Sequence, residues 1–380
     1  MSCKSPLILL DEPEIGLHEA KVEELIDVIS TTINKNVFVL VNTHSPKIIL
    51  ELIANDNEIN IYRLFLKKSH TQLRCLDVNW LRSLRHVITT KETSCYFSDY
   101  LLFVEGESEY QLFKNKGLHN LFPFINKVHI YPYGSNNAII KYVCPLYINI
   151  GIPYVTILDI DKIITFQENN SQYTAYTSSE ELNPLKSTIV KKRDKMRYFS
   201  AKKSVKQSLQ SEFERVINKN FSFKHDCNYV EDINYEKLIY SAKKLCAYNN
   251  VSVNSTTIEG LLIYANNVDL FIDFCLESFV DKKDILLKIQ AFTDAKEKSA
   301  FLRLFFFGKL DCCVNEGVSI NEFKTKQKIT DTKADGWINK WLNWFIDKKC
   351  PKENDNQAQE VFKQYFPEFF ETLQMIKCMI

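Results

Sequence analysis

Three short apolar runs, each followed directly by acidic residues, constrain the fold of this chain more than any other feature of its sequence. They are residues 7–10, 101–104 and 154–158. Runs of this length predict strands buried in a parallel sheet. The carboxylates that follow would then lie at the C-terminal ends of the strands, which is the edge where open α/β sheets build their functional sites.

The spacing of apolar residues between the runs predicts helices. Residues 18–34 carry apolar positions at helical spacing, residues 37–41 form a second apolar run, and residues 46–54 again favour a helix. This order of strand, helix and strand predicts a βαβ unit with two buried parallel strands. We therefore expect an α/β fold.

Composition excludes several classes of protein. The 380 residues hold 48 Lys and Arg against 47 Asp and Glu, so a globally basic nucleic-acid binder is excluded and any such contact needs a local patch. The 11 cysteines include no CxxC pair, which favours reduced thiols in a cytoplasmic protein. We expect no membrane role, because no apolar stretch is long enough to span a bilayer.

The first group of candidate residues is Asp11, Glu12 and His44. An aspartate that ends a buried strand can hold the water shell of a magnesium ion, and the glutamate after it can polarise an attacking water. In the segments LILLDEPE, IGLH and NTHSP, this order resembles the second half of an ABC-type ATPase domain. The resemblance implies that His44 touches a γ-phosphate. The alternative is that the acids only cap a strand.

The other half of such a nucleotide site does not occur in the sequence. The 380 residues contain no GxxxxGK[ST] phosphate loop and no glycine-rich signature loop before Leu7. We expect the chain alone to be no competent ATPase, with ATP a cofactor only if an upstream segment or a partner supplies the loop. The upstream half is encoded separately, or the start is misplaced or truncated, or the site is vestigial. The same segment is the expected site of oligomerisation.

The second group comprises four carboxylates. Glu105 and Glu109 lie four residues apart at the end of a strand and the start of a helix, and Asp159 and Asp161 lie two apart after another strand. Four carboxylates that converge on one edge of a sheet repel one another unless a divalent cation binds among them. Oxygen ligands without His or Cys favour Mg²⁺ or Mn²⁺ over zinc.

The segments LLFVEGESE, HIYPYGSNN and VTILDID follow the order of a toprim domain and resemble it. The alternative is a set of unrelated acids at the ends of α/β strands. An ABC-type ATPase half followed by a toprim domain resembles the OLD family (overcoming lysogenization defect) of nucleases. The resemblance implies Mg²⁺- or Mn²⁺-dependent hydrolysis of DNA phosphodiester bonds, in defence against phage. It also implies a reverse transcriptase and its RNA–DNA product as partners where such a gene lies in a retron.

The resemblance adds two downstream residues. Glu259 in TTIEGLLI stands where the family has a further metal-ligating glutamate, and Lys309 in FFFGKLD stands for its lysine. Glu259 could instead be an exposed acid that opens a helix, and Lys309 could be a charge at the end of one.

The expected domains are a partial ATPase segment over 1–75, a toprim nuclease domain over 95–320 and a helical tail over 321–380. A polar and basic insertion, helical in part and with a loop over 165–183, would occupy about 165–250. Its basic segment, residues 186–206, is the candidate for contacts to the DNA backbone. The residues assigned to these contacts are Lys191, Lys192, Arg193, Lys195, Arg197, Lys202 and Lys203. The alternative is a solvated helix face. The aromatic residues of the tail, Trp337, Trp341, Trp344 and Phe345, are expected to form core or a protein interface, with a base-stacking platform as the alternative.

Two further interpretations of the whole chain remain. One is a non-catalytic regulatory or partner-binding protein with a degenerate ATPase segment, in which the acids are structural. The other is an ATPase of the DNA-repair type with a degenerate toprim domain. Intact Glu-x₃-Glu and Asp-x-Asp pairs argue against the first, and the absent phosphate loop argues against the second.

Overall fold

The chain forms two compact units in a computed structural model. The first contains residues 1–101 and 127–154, and the second residues 102–126 and 155–380. The residues that the structure describes are 6–35, 37–55, 58–67, 69–83, 85–134, 150–159, 164–169, 172–177, 222–224, 233–248, 250–279, 283–295, 298–299, 302–303, 336–352 and 354–380.

The first unit begins with the βαβ arrangement that the sequence predicts. Strands β1 (Leu7–Asp11) and β2 (Phe38–Asn42) pair in parallel, and helix α1 (Glu19–Ile33) connects them. Helix α2 (Pro46–Ala54) follows β2, starts with a proline and is capped by the hydroxyl of Ser45. The two helices pack against one face of the strands, and their core residues are Val22, Ile26, Ile29 and Ile48.

The prediction that β1 and β2 are buried strands is wrong for this pair. Side chains on the face away from the helices are more than half exposed, at 61% for Leu7, 66% for Leu9, 68% for Phe38 and 60% for Leu40. The parallel register sets Leu7 beside Phe38 and Leu9 beside Leu40, so the four form one continuous apolar face. Both helices pack their apolar faces against the same side of the two-stranded sheet, so they leave its other side uncovered.

The first unit also contains an antiparallel hairpin and short helices. Strands β3 (Tyr62–Lys67) and β4 (His70–Cys75) pair over their whole length. Short helices α3 (Val78–Arg82) and α4 (Thr90–Ser94) come next in the chain, and α4 starts in a capping box formed by Thr89 and Glu92.

A four-stranded sheet positions Glu105, which directly follows one of its strands, and Asp159, which ends another. Its strands are β5 (Tyr100–Val104), β6 (Val128–Pro132), β7 (Tyr154–Asp159) and β11 (Val251–Asn254), in the order β11-β7-β5-β6. The strands expected near residues 101, 128 and 154 are confirmed. β11, a four-residue strand that pairs in parallel with β7, was not predicted from the sequence.

The second unit also contains α-helices, of which the structure describes nine. They are α5 (Glu107–Phe113), α6 (Lys116–Leu121), α7 (Ile233–Ala247), α8 (Ile258–Leu262), α9 (Val268–Ser278), α10 (Lys283–Gln290), α11 (Trp337–Lys349), α12 (Asp355–Tyr365) and α13 (Pro367–Met379). The aromatic residues of the tail form core, as predicted. Trp341 is fully buried, stacks edge-on against Phe271 with ring centroids 5.2 Å apart, and donates from Nε1 to the carbonyl oxygen of Leu262 at 3.0 Å.

The insertion contains strands as well as helix α7. Strands β8 (Ile164–Asn169), β9 (Gln172–Thr177) and β10 (Ser222–Lys224) form an antiparallel sheet in the order β10-β9-β8. The loop expected over 165–183 is therefore wrong for residues 164–169 and 172–177. Isoleucine, threonine and phenylalanine in the first segment, ITFQEN, and tyrosine and threonine in the second, QYTAYT, favour strands, although the overall polarity suggested a loop.

Within the described part of the chain, no helix combines the length and apolarity that crossing a bilayer requires.

Candidate functional site

The first pair of acids lies where β5 passes into α5. β5 is buried along most of its length, and Glu105 follows it directly. Glu109 is in the first turn of α5, and its Oε2 accepts a hydrogen bond of 3.0 Å from the backbone amide of Gly106. This bond satisfies a free amide at the helix start and turns the Glu109 side chain back towards the strand end. Glu109 is only 7% exposed.

The second element of the site is a pair of residues on neighbouring parallel strands. Asp159 ends β7 and Asn254 ends β11, and the two are register partners. Nδ2 of Asn254 donates to Oδ1 of Asp159 at 2.9 Å. Asn254 is 1% exposed, and its Oδ1 accepts no hydrogen bond from the described residues. The amide therefore fixes the orientation of the Asp159 carboxylate while its own oxygen lies buried and unsatisfied.

Glu259 belongs to the same unit and lies one short turn after β11. It is in the first turn of α8 and only 2% exposed, so the alternative of an exposed acid that opens a helix is wrong. The Oγ1 of Thr257, the N-cap residue of α8, is also buried and accepts or donates no hydrogen bond among the described residues. Gly260 allows this turn to be tight, since a Cβ there would lie 1.7 Å from Oγ1 of Thr256.

The electrostatics of Glu109 place three of the acids in one region. Burial raises the pKa of the Glu109 carboxyl group, and the charges of Glu105 and Glu259 raise it further, against hydrogen bonds from the backbone amides of Glu109 and Gly106 that lower it. A buried carboxylate close to two others is costly unless a proton or a cation neutralises it. The structure thus brings the predicted residues Glu105, Glu109 and Glu259 within electrostatic reach of one another.

The donors in this region have the chemistry that a hard divalent cation requires. Carboxylate oxygens of buried, mutually repelling acids suit Mg²⁺ or Mn²⁺, and the unsatisfied amide oxygen of Asn254 is a further oxygen donor. Among the described residues, no three His, Cys, Asp or Glu side chains are grouped closely enough to hold one ion. Asp161 and Lys309, which the sequence analysis adds to the set, lie outside the described residues.

The predicted nucleotide residues lie together in the first unit. Nδ1 of His44 is 3.0 Å from Oε1 of Glu12, and both side chains are exposed to solvent. Glu12 adopts a left-handed backbone conformation with φ of 44°, which is unusual for a residue other than glycine. Asp11 accepts a hydrogen bond of 2.7 Å from Nδ2 of Asn42, its register partner on β2.

Sequence reasoning missed the two asparagines, Asn42 and Asn254. Each ends a parallel strand beside an aspartate and holds that aspartate through the same bond, from amide Nδ2 to carboxylate Oδ1. For Asn42 the available signal was a polar residue directly after an apolar run, FVLVN, whereas Asn254 follows the short mixed segment VSV and has no such signal. The seven candidate DNA-contacting residues of the basic segment lie outside the described residues.

Comparison with known families supports the toprim part of the resemblance. Residues 96–161 of the 380 match the family model described as the overcoming lysogenization defect protein-like toprim domain. The match contains Glu105, Glu109, Asp159 and Asp161, whereas Glu259 and the first unit's Asp11, Glu12 and His44 lie outside it. Toprim domains are associated with metal binding and with the hydrolysis of nucleic acids.

Proposed function

We propose that this chain is a divalent-metal-dependent endodeoxyribonuclease of the OLD and toprim type. The observation that carries the proposal is the buried Glu109, whose pKa is raised by burial and by the charges of Glu105 and Glu259. Burial and the two like charges disfavour the ionised form of Glu109, and a bound cation would favour it again. Asp159, oriented by Asn254, supplies a carboxylate from the neighbouring strand end of the same unit.

The residues that would hold the metal are Glu105, Glu109, Asp159, Asp161 and Glu259. Bound Mg²⁺ or Mn²⁺ would supply an activated water and stabilise charge on the scissile phosphate. The chain's own part is to keep the carboxylates in place before the metal arrives. The backbone amide of Gly106 does so for Glu109 and the side-chain amide of Asn254 for Asp159. Lys309 is the proposed neutralising charge for the phosphate.

Plasmid nicking by the purified chain tests this function. We expect cleavage with Mg²⁺ or Mn²⁺ and none with EDTA, and Asp159→Ala should lower the rate by at least about 100-fold because it removes a metal ligand. Asp269→Ala is the matched control, since Asp269 is an exposed acid of the same unit that pairs with Lys298. Equal nicking by Asp159→Ala and wild type would rule out the assignment.

The biological setting follows from the resemblance and is part of the proposal. A cytoplasmic nuclease of this type would act on DNA in defence against phage, and in a retron its partners would be a reverse transcriptase and an RNA–DNA product. A phage-plating assay with wild type and Asp159→Ala tests the defensive role. Equal plating on both strains, with both proteins expressed, would reject it.

We also propose that the first unit mediates self-association. The apolar face formed by Leu7, Leu9, Phe38 and Leu40 supports this, because an exposed continuous apolar face of a sheet favours burial against another surface. Light scattering of the purified chain should give a mass above the 44.4 kDa of one copy. Leu9→Glu with Leu40→Lys should restore the monomer, and a monomeric wild type would contradict the proposal.

A further inference from the structure

Helix α13 contacts the turn that connects Asn254, at the end of β11, to Glu259, in the first turn of α8. Glu368 lies in the first turn of α13, and both of its carboxylate oxygens accept hydrogen bonds from Ser255. The backbone amide of Ser255 donates to Oε1 at 2.6 Å, and its hydroxyl donates to Oε2 at 2.5 Å. Ser255 directly follows Asn254 and lies four residues before Glu259. A two-point contact of this kind fixes the position and the rotation of a turn.

The charge of Glu368 is itself held in place. Nζ of Lys243 on α7 lies 2.9 Å from Oε1 of Glu368 and 3.4 Å from Oε2 of Glu371. Burial lowers the pKa of Lys243, but the two glutamates outweigh it and leave the pKa raised. The Glu368 side chain is 24% exposed and that of Glu371 is 72% exposed, so only the first is sheltered enough to act as a firm partner.

We infer that Glu368 is a positioning residue for the acidic site, acting through Ser255. The bonds to Ser255 hold the turn between β11 and α8, which keeps the amide of Asn254 on Asp159 and fixes the start of α8 that carries Glu259. This inference rests on the proposed metal-dependent function and adds a residue more than 100 positions downstream of the site, outside the matched toprim region.

Variants of two neighbouring residues on α13 distinguish a positioning role of Glu368 from a general role in packing the helix. Glu371→Ala removes the other acid that pairs with Lys243 and leaves Ser255 untouched. Thr372→Val removes a hydrogen bond of 2.9 Å between Thr372 and the hydroxyl of Ser252 on β11, so it weakens the contact of the helix with the strand without touching the turn.

The experiment measures Mn²⁺ binding by calorimetry and the Mn²⁺ concentration for half-maximal nicking, on the full chain. For Glu368→Ala we expect the dissociation constant of Mn²⁺ and the half-maximal Mn²⁺ concentration each to rise about 10-fold or more, as for loss of a residue that supports metal ligands. The maximal rate should fall less than the affinity. Glu371→Ala and Thr372→Val should stay within about twofold of wild type, because neither alters the turn.

The outcomes distinguish this inference from the proposed function. Wild type that binds Mn²⁺, with unchanged affinity in Glu368→Ala, overturns the positioning role alone, as does an equal loss in Thr372→Val. Wild type that binds no Mn²⁺ overturns both. If Glu368→Ala fails to fold, Glu368→Gln replaces it. It keeps an acceptor for the Ser255 amide but loses the charge, so we expect a rise of about fivefold. Wild-type affinity in a folded Glu368→Gln also overturns the role.

Discussion

Asn254 donates a hydrogen bond of 2.9 Å from Nδ2 to Oδ1 of Asp159, its register partner on the neighbouring parallel strand. In the first unit, Asn42 and Asp11 repeat this arrangement at 2.7 Å. In both pairs, an amide at the end of one strand orients a carboxylate at the end of the next. The carboxylate is thus positioned before any ligand arrives. This lowers the conformational entropy that is lost when a ligand binds to it.

Asn254 should therefore control metal affinity rather than stability alone. Asn254→Ala should raise the Mn²⁺ concentration for half-maximal nicking about 10-fold, because Asp159 loses the donor that orients it. Asn254→Asp should be worse, since a second carboxylate would replace the donor. The measurement is a metal titration of nicking, with Asn266→Ala as control. Asn266 is exposed and bonds only to the backbone of Gln364 among the contacts described. An unchanged titration for Asn254→Ala would contradict the role.

Glu109 should lower the stability of the metal-free protein at neutral pH. Its pKa is raised in the folded chain by burial and by Glu105 and Glu259, so the folded state binds this proton more tightly than the unfolded state. The resulting contribution to stability is present below about pH 4.3, the ordinary pKa of glutamate, and is lost as the pH rises through the folded-state pKa. In EDTA at pH 7.5, Glu109→Gln should therefore melt at a higher temperature than wild type.

Thermal denaturation at two pH values checks this sign. At pH 7.5 the melting temperature of Glu109→Gln should exceed that of wild type by about 2–4 °C for each kcal/mol of added unfolding free energy. The difference should disappear near pH 4, where wild-type Glu109 is protonated. Glu107→Gln is the matched control, because Glu107 is an exposed acid in the same helical turn. It should melt like wild type at both pH values. A Glu109→Gln protein that is less stable than wild type at pH 7.5 in EDTA would reverse the interpretation.

The local pattern of the sequence predicted the strands that end at Asp11, Val104 and Asp159, because apolar runs and helical spacing are local signals. It did not predict β11, since four residues in a polar region give too short a pattern. The local pattern also did not predict that Glu259 is buried, because burial depends on packing between distant segments. The link from Glu368 to Ser255 spans more than 100 residues, and no local signal in the sequence encodes it.

The basic segment should set affinity for DNA without changing the chemistry. Replacing Lys191, Lys192 and Arg193 with alanine should flatten the log–log salt dependence of DNA binding by up to about three units, since each phosphate contact contributes about 0.9. Nicking at saturating DNA should persist. The control replaces Lys348, Lys349 and Lys352, near the end of α11, with alanine. If both triple variants show the wild-type slope, the segment is only a solvated face.

The last prediction concerns the nucleotide residues of the first unit. Oε1 of Glu12 and Nδ1 of His44 lie 3.0 Å apart, just after the C-terminal ends of β1 and β2, and Asp11 is held by Asn42. These groups could act only on a nucleotide that backbone amides and a lysine already hold, and the 380 residues contain no phosphate loop to hold one. The purified chain should show no steady-state ATP hydrolysis, and Glu12→Gln should match wild type in DNA nicking with or without ATP. Calorimetric titration with ATP and Mg²⁺ provides the decisive test, because micromolar binding that Asp11→Ala abolishes would mean that the phosphates are held by residues other than a phosphate loop.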